Sequence, residues 1–66
     1  MNDRFPILRF FTFAHLPAHL QEVSRPLAEL AEVMAARSPN GDAETSAGLR
    51  KLLEAKDCFV RATVKP

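Results

Sequence analysis

The chain has no tryptophan, no tyrosine and a single cysteine, Cys58. One thiol cannot close a disulfide within the chain, which suits a reducing compartment and leaves only an intermolecular bridge open. No apolar run approaches the roughly 18 residues that cross a bilayer, so no membrane partner is expected. Net charge is also scarce: nine basic and eight acidic side chains leave +1. That balance argues against a duplex nucleic-acid binder, which neutralises many phosphates at once, and against a small transcriptional regulator. It leaves room for a small anion held by a few cations. There is no glycine-rich phosphate loop, no pair of catalytic carboxylates and no nucleophile beside a base, so an enzyme is the least expected class and no cofactor is implied.

Length sets the next limit. Sixty-six residues allow one domain, residues 1–66, and a domain of this size leaves roughly 40% of its unfolded surface exposed. With no internal disulfide, extra burial is expected from self-association. The opening residues MNDRFPILRFFTFAHL include an apolar stretch. Asp3 sits where a signal peptide would be basic and Arg9 interrupts the apolar run, so they are read as mature sequence of a cytoplasmic protein.

The expected fold is all-α: an antiparallel two-helix hairpin behind an extended aromatic arm, assembling into a homo-oligomer. The arm covers residues 1–15. Pro6 turns Phe5 away from helical geometry, and Ile7, Leu8, Phe10, Phe11 and Phe13 crowd into seven positions, a density that favours extended structure. These rings either pack in a core or interface, or stack on a flat ligand such as a nucleobase; Phe11 and Phe13 are the candidate stacking rings.

A first helix is expected over about 16–36, with Pro17 in its first turn. Leu16, Leu20, Val23, Leu27, Leu30 and Met34 recur at spacings 4, 3, 4, 3, 4, a heptad seam widened by Ala31 and Val33. Glu22, Arg25, Glu29 and Glu32 lie opposite, with Arg25 and Glu29 spaced as an i,i+4 pair. Pro26 admits two readings. Ser24 caps a fresh helix with Pro26 in its first turn, or one helix runs through with a kink; the unbroken seam favours the second. The run Ser38-Pro39-Asn40-Gly41-Asp42 is turn chemistry, Asp42 is the expected cap of a second helix, and Ser46 is another possible start for it.

The second helix is expected over about 43–64. On it Leu49, Leu52, Leu53, Phe59, Val60, Thr63 and Val64 share one face, with Arg50, Lys51, Glu54, Asp57, Arg61 and Lys65 on the other. Lys56 projects from the middle of the apolar face, so it must snorkel, pair with a carboxylate or bind an anion. In the ligand reading Lys56 contacts phosphate, assisted by Arg25, Arg50 and Arg61. Arg50, Glu54, Asp57 and Arg61 also form a charged stripe of a kind usually solvated and laced with weak pairs, Asp57 to Arg61 having the favourable polarity. His15 and His19 have a metal-ligand spacing, but His15 lies at or before the helix start and only Cys58 could join them. No metal is expected, and either histidine can instead cap, stack or hydrogen-bond a ligand.

Residues 52–62, LLEAKDCFVRA, resemble the second helix of the small phage hairpin proteins that act as sponges for nucleotide signals, the anti-CBASS and Thoeris anti-defence family. The matching positions are Leu52, Glu54, Ala55, Lys56, Val60, Arg61 and Ala62, with Asp57-Cys58 standing where the pattern has two bulky residues. Phe13 followed by Leu16 resembles the aromatic and leucine that open the family's first helix, with phenylalanine in place of the usual tyrosine. Arg25 is the nearest counterpart of a lysine the family carries on that helix, though it is not aligned with it. The resemblance implies a two-helix protomer in a compact homo-oligomer, a hexamer in the best-known members. It implies cyclic di- or trinucleotides, or related messengers, bound between protomers without cleavage in the cytoplasm of an infected bacterial host. On that reading Phe11, Phe13, Arg25, Arg50, Lys56 and Arg61 hold the ligand. The other reading of the same residues is a helical protein-interaction or inhibitor module with no nucleotide ligand, in which Lys56 sets specificity.

Overall fold

The computed structural model describes residues 5–38 and 40–64. The first four residues of the expected arm, Pro39 of the turn, Lys65 of the polar face and the terminal Pro66 lie outside the described residues. The architecture is all-α: a 3₁₀ helix η1 (Pro6–Phe11), then helix α1 (Ala18–Ala36) and helix α2 (Ala43–Val64), with α1 and α2 packed as a hairpin and η1 against both.

The N-terminal arm is a correction. Instead of the expected extended strand-like segment, the chain coils from Pro6, which occupies the first turn of η1 while Phe5 stays outside at φ −130° and ψ 82°. The Leu8 amide donates to the Phe5 carbonyl at 3.0 Å. With three residues per turn, side chains at i and i+3 eclipse, so Phe5, Leu8 and Phe11 share one face. Phe5 and Phe11 are buried in the core, with Leu8 packed beside them. The aromatic density misleads because strand preference reflects packing on a pleated surface, and no strand is present among the described residues for the arm to join.

Residues 12–17 link η1 to α1. Leu16 donates its amide to Phe13 at 3.0 Å. The Gln21 side-chain amide reaches back to the carbonyls of Leu16 at 2.8 Å and Ala14 at 3.3 Å. Pro17 takes the cap position before the first helical residue, Ala18, rather than a place inside a first turn that begins near Leu16, and its carbonyl accepts from the amides of Leu20 and Gln21. Helix α1 runs unbroken through Pro26, so Ser24 caps no second helix. Pro26 and Glu22 are both exposed, which puts the carbonyl that loses its donor where water can reach it.

The packed face of α1 is the second correction. Its buried residues are Leu20, Ser24, Ala28, Ala31 and Ala35. Beyond Leu20, each lies one residue after a seam position, a rotation of about 100°. Val23 and Leu27 are half-buried, while Leu30, Val33 and Met34 are 43–55% exposed. Small side chains let neighbouring elements approach closely, and the space is filled by Phe5, Phe11 and Leu49, with Ile7, Phe13, Leu52 and Leu53 around them. Leu49 is the only fully buried residue of α2; Leu52, Leu53, Ala55 and Val60 are half-covered, and the rest of its expected apolar face, Phe59, Thr63 and Val64, is exposed.

The turn obeys its residue chemistry. Gly41 adopts φ 68°, the left-handed region glycine enters without steric cost. Asp42 caps α2 by accepting from the Thr45 amide at 2.8 Å and the Thr45 hydroxyl at 3.1 Å. The Ser38 hydroxyl donates to the same carboxylate at 2.6 Å and accepts from the Asp42 amide at 3.1 Å. With Asp42 capping, α2 starts at Ala43 rather than at Ser46. Among the described residues no helix is long and apolar enough to cross a membrane.

Candidate functional site

Lys56 is anchored by the backbone. Its ammonium donates to the Phe10 carbonyl at 2.9 Å and stands 3.5 Å from the Asp57 carboxylate, with 12% of the side chain exposed. A lysine on the apolar side of α2 thus finds an acceptor at the end of η1, where 3₁₀ carbonyls lack intrahelical partners. The contact fastens η1 to α2 across most of the chain's sequence.

Around this anchor lies an open cleft of about 390 Å³, within the range of small-ligand sites. Arg9 and Phe10 from η1, His15 from the link, and Lys56, Asp57 and Arg61 from α2 all line it. Arg9 stands over the Phe10 ring, 5.0 Å from its centroid, and that ring is 54% exposed. Arg61 is exposed and lies 3.4 Å from the Cys58 sulfur. Three basic side chains, one carboxylate, one histidine and an open aromatic ring therefore meet where η1 packs on α2. Such a group can hold a flat anion, the phosphates on guanidinium groups and the ring system stacked.

Of the six candidates read from the sequence, the structure brings Lys56 and Arg61 together in the cleft and sets Arg25 over Phe13 elsewhere. Phe11 is 3% exposed in the core and lies outside the cleft, at the floor of the hollow that Phe13 lines. Phe13 is half-buried and pairs with Arg25, whose guanidinium lies 5.5 Å from the ring centroid. Phe13 lines a separate shallow hollow with Glu29 and Glu32, an acidic setting that disfavours phosphate. Arg50 is exposed on an earlier turn of α2, away from the cleft lining.

The charge pairs also differ from expectation. Arg25 stacks on Phe13 rather than pairing with Glu29, and Asp57 pairs with Lys56 rather than Arg61; among the described residues Lys56–Asp57 is the one ion pair. Arg9 and Phe10 escape a sequence reading that takes the arm as extended. With a period of three, burial of Phe5, Leu8 and Phe11 turns both outward. His15 and His19 are exposed, and among the described residues no three metal-ligating side chains cluster.

A second surface lies nearer the turn. Leu30 and Met34 of α1 face Gly48, Leu49 and Leu52 of α2 across an apolar groove of about 450 Å³. A Cβ built on Gly48 meets no atom within 4 Å, so the glycine borders open space.

Comparison with protein-family models, with curated proteins and with solved structures found no match.

Proposed function

We propose that this chain binds cyclic oligonucleotide messengers of a bacterial immune response and sequesters them without cleavage, acting as a homo-oligomer in the cytoplasm of an infected host. The observation that supports this reading is the convergence of Arg9, Lys56 and Arg61 with the exposed Phe10 ring in one cleft. The short resemblance in residues 52–62 points the same way, and a hexamer is the assembly it implies. The apolar groove beside Gly48 fits self-association, because its Leu30 and Met34 are left exposed among the described residues.

The groove also favours a second reading, a protein-interaction hairpin that offers the Leu30 and Met34 face to an apolar helix of another protein.

A thermal-shift screen against cyclic di- and trinucleotides, with oligomer mass determined on the same sample, separates the two. Ligand at a hundred times its Kd stabilises by about 2.7 kcal/mol, which for a domain of this size raises Tm by on the order of 10 °C. Arg61→Ala is the informative variant, since Arg61 is exposed and among the described residues its one hydrogen bond is to Cys58. It is expected to remove the ligand shift while leaving the unliganded Tm and mass unchanged. A folded oligomer that shifts with none of these ligands would make the protein-interaction reading the leading one.

A further inference from the structure

The cleft carries one group that a site for phosphate alone would lack. Asp57 presents a carboxylate to it, 49% exposed and 3.5 Å from the Lys56 ammonium. Lys56 is already committed to the Phe10 carbonyl and to Asp57 and is largely covered. The groups left facing an incoming ligand are therefore the Arg9 and Arg61 guanidinium groups, the His15 imidazole, the Phe10 ring and the Asp57 carboxylate. An ionised carboxylate only accepts hydrogen bonds and repels phosphate. Its natural partner is a ligand edge with two neighbouring donors, the arrangement that makes carboxylate pairing bidentate.

Among the common nucleobases, guanine meets that requirement, with its N1–H and N2 amino group side by side. Adenine and cytosine each set a ring-nitrogen acceptor beside one amino group, and uracil flanks its single N–H with carbonyls. Resting on the reading of this cleft as a nucleotide site, we propose that it selects guanine. The base stacks against the Phe10–Arg9 pair, its Watson–Crick edge donates to Asp57, and a phosphate reaches Arg9 and Arg61. The ion pair with Lys56 orients the carboxylate for this role.

The test is titration calorimetry of the full chain with cyclic di-GMP and cyclic di-AMP, which share the same sugar–phosphate ring and differ only in the base. The proposal expects cyclic di-GMP to bind at least tenfold more tightly. Asp57→Asn replaces one acceptor oxygen with a donor, so it should weaken cyclic di-GMP by tenfold or more and hold or strengthen cyclic di-AMP, whose edge suits an amide. Arg61→Ala should weaken both alike. Equal affinity for the two in the unaltered protein, or equal losses for both with Asp57→Asn, overturns guanine selection and leaves the nucleotide reading standing. Binding of neither overturns this inference, and together with no thermal shift from cyclic trinucleotides it overturns the nucleotide reading as well.

Discussion

Replacing Gly48 with alanine should stabilise an isolated chain, and the sign of the effect reports what covers the groove. Gly48 lies inside α2 with a negative φ, since Gly41 is the positive-φ glycine among the described residues. A Cβ there meets nothing within 4 Å, so no clash opposes the change. Glycine in a helix interior is about 0.8–1.0 kcal/mol less favourable than alanine, chiefly because the unfolded chain is freer. In a domain of 60–100 residues each kcal/mol moves Tm by roughly 4–8 °C, so Gly48→Ala should raise Tm by about 5 °C. The assay is thermal unfolding monitored by circular dichroism across a concentration series, with mass measured at each point. A fall in Tm in the dilute, monomeric range would refute the reasoning, because it would mean that the site is occupied or strained within one chain. A rise in the dilute range with weaker assembly at high concentration would place a second chain in the groove.

Substitutions at five other positions test the packing and the cap. Ala31→Leu should cost about 1–3 kcal/mol through overpacking of a fully buried small site, whereas Leu30→Ala on the exposed row should change the stability of dilute protein by no more than about 0.5 kcal/mol; urea unfolding of both compares the two rows directly. The buried Ser24 hydroxyl has no hydrogen-bond partner among the described residues, so Ser24→Ala should raise stability by about 1 kcal/mol in the same assay. Lys56→Met keeps the apolar stem but removes the donor to Phe10; it should cost about 1 kcal/mol and speed amide exchange in η1. The Ser38 hydroxyl, and after it the Thr45 amide, holds the Asp42 carboxyl below its ordinary value, so its contribution is present above the unfolded pKa near 3.9 and lost as pH falls through the lower folded value. Asp42→Asn should flatten that acid limb, and Asp42→Ala should lower Tm by several degrees at neutral pH.

The elements with local chemical causes were legible in the sequence. Asp42 sits where a cap must, Gly41 where φ is positive, and the seam across Pro26 indicated one helix. The covered face of α1 was not legible, because periodicity marks rows of apolar residues without saying which row is covered. Leucine outranks alanine in any such pattern, yet Ala28, Ala31 and Ala35 are buried because Phe5 and Phe11 need flat surface to lie on. Lys56 stood out because a lysine on an apolar face needs a partner. The partner itself was hidden, since it is the backbone carbonyl of Phe10, set by the course of η1 rather than by residue type.

The rotation of α1 bears directly on function. A helix selected only for a two-helix monomer would turn its largest apolar side chains inward, but here Leu30, Val33 and Met34 face out while alanines face in. Full burial of a leucine, valine or methionine side chain from full exposure is worth about 1.5–3 kcal/mol, and with about half of each already covered, the row offers roughly half of that per residue toward association. It borders the groove near the turn, and the Arg9–Lys56–Arg61 cleft has a separate lining. Assembly and ligand capture can therefore be perturbed one at a time, which makes an oligomeric binder experimentally separable from an interaction hairpin. In the oligomeric binder the cleft cations affect ligand and leave mass alone, and the outer row affects mass. In an interaction hairpin the outer row alone matters, and Arg9 and Arg61 are ordinary solvated charges.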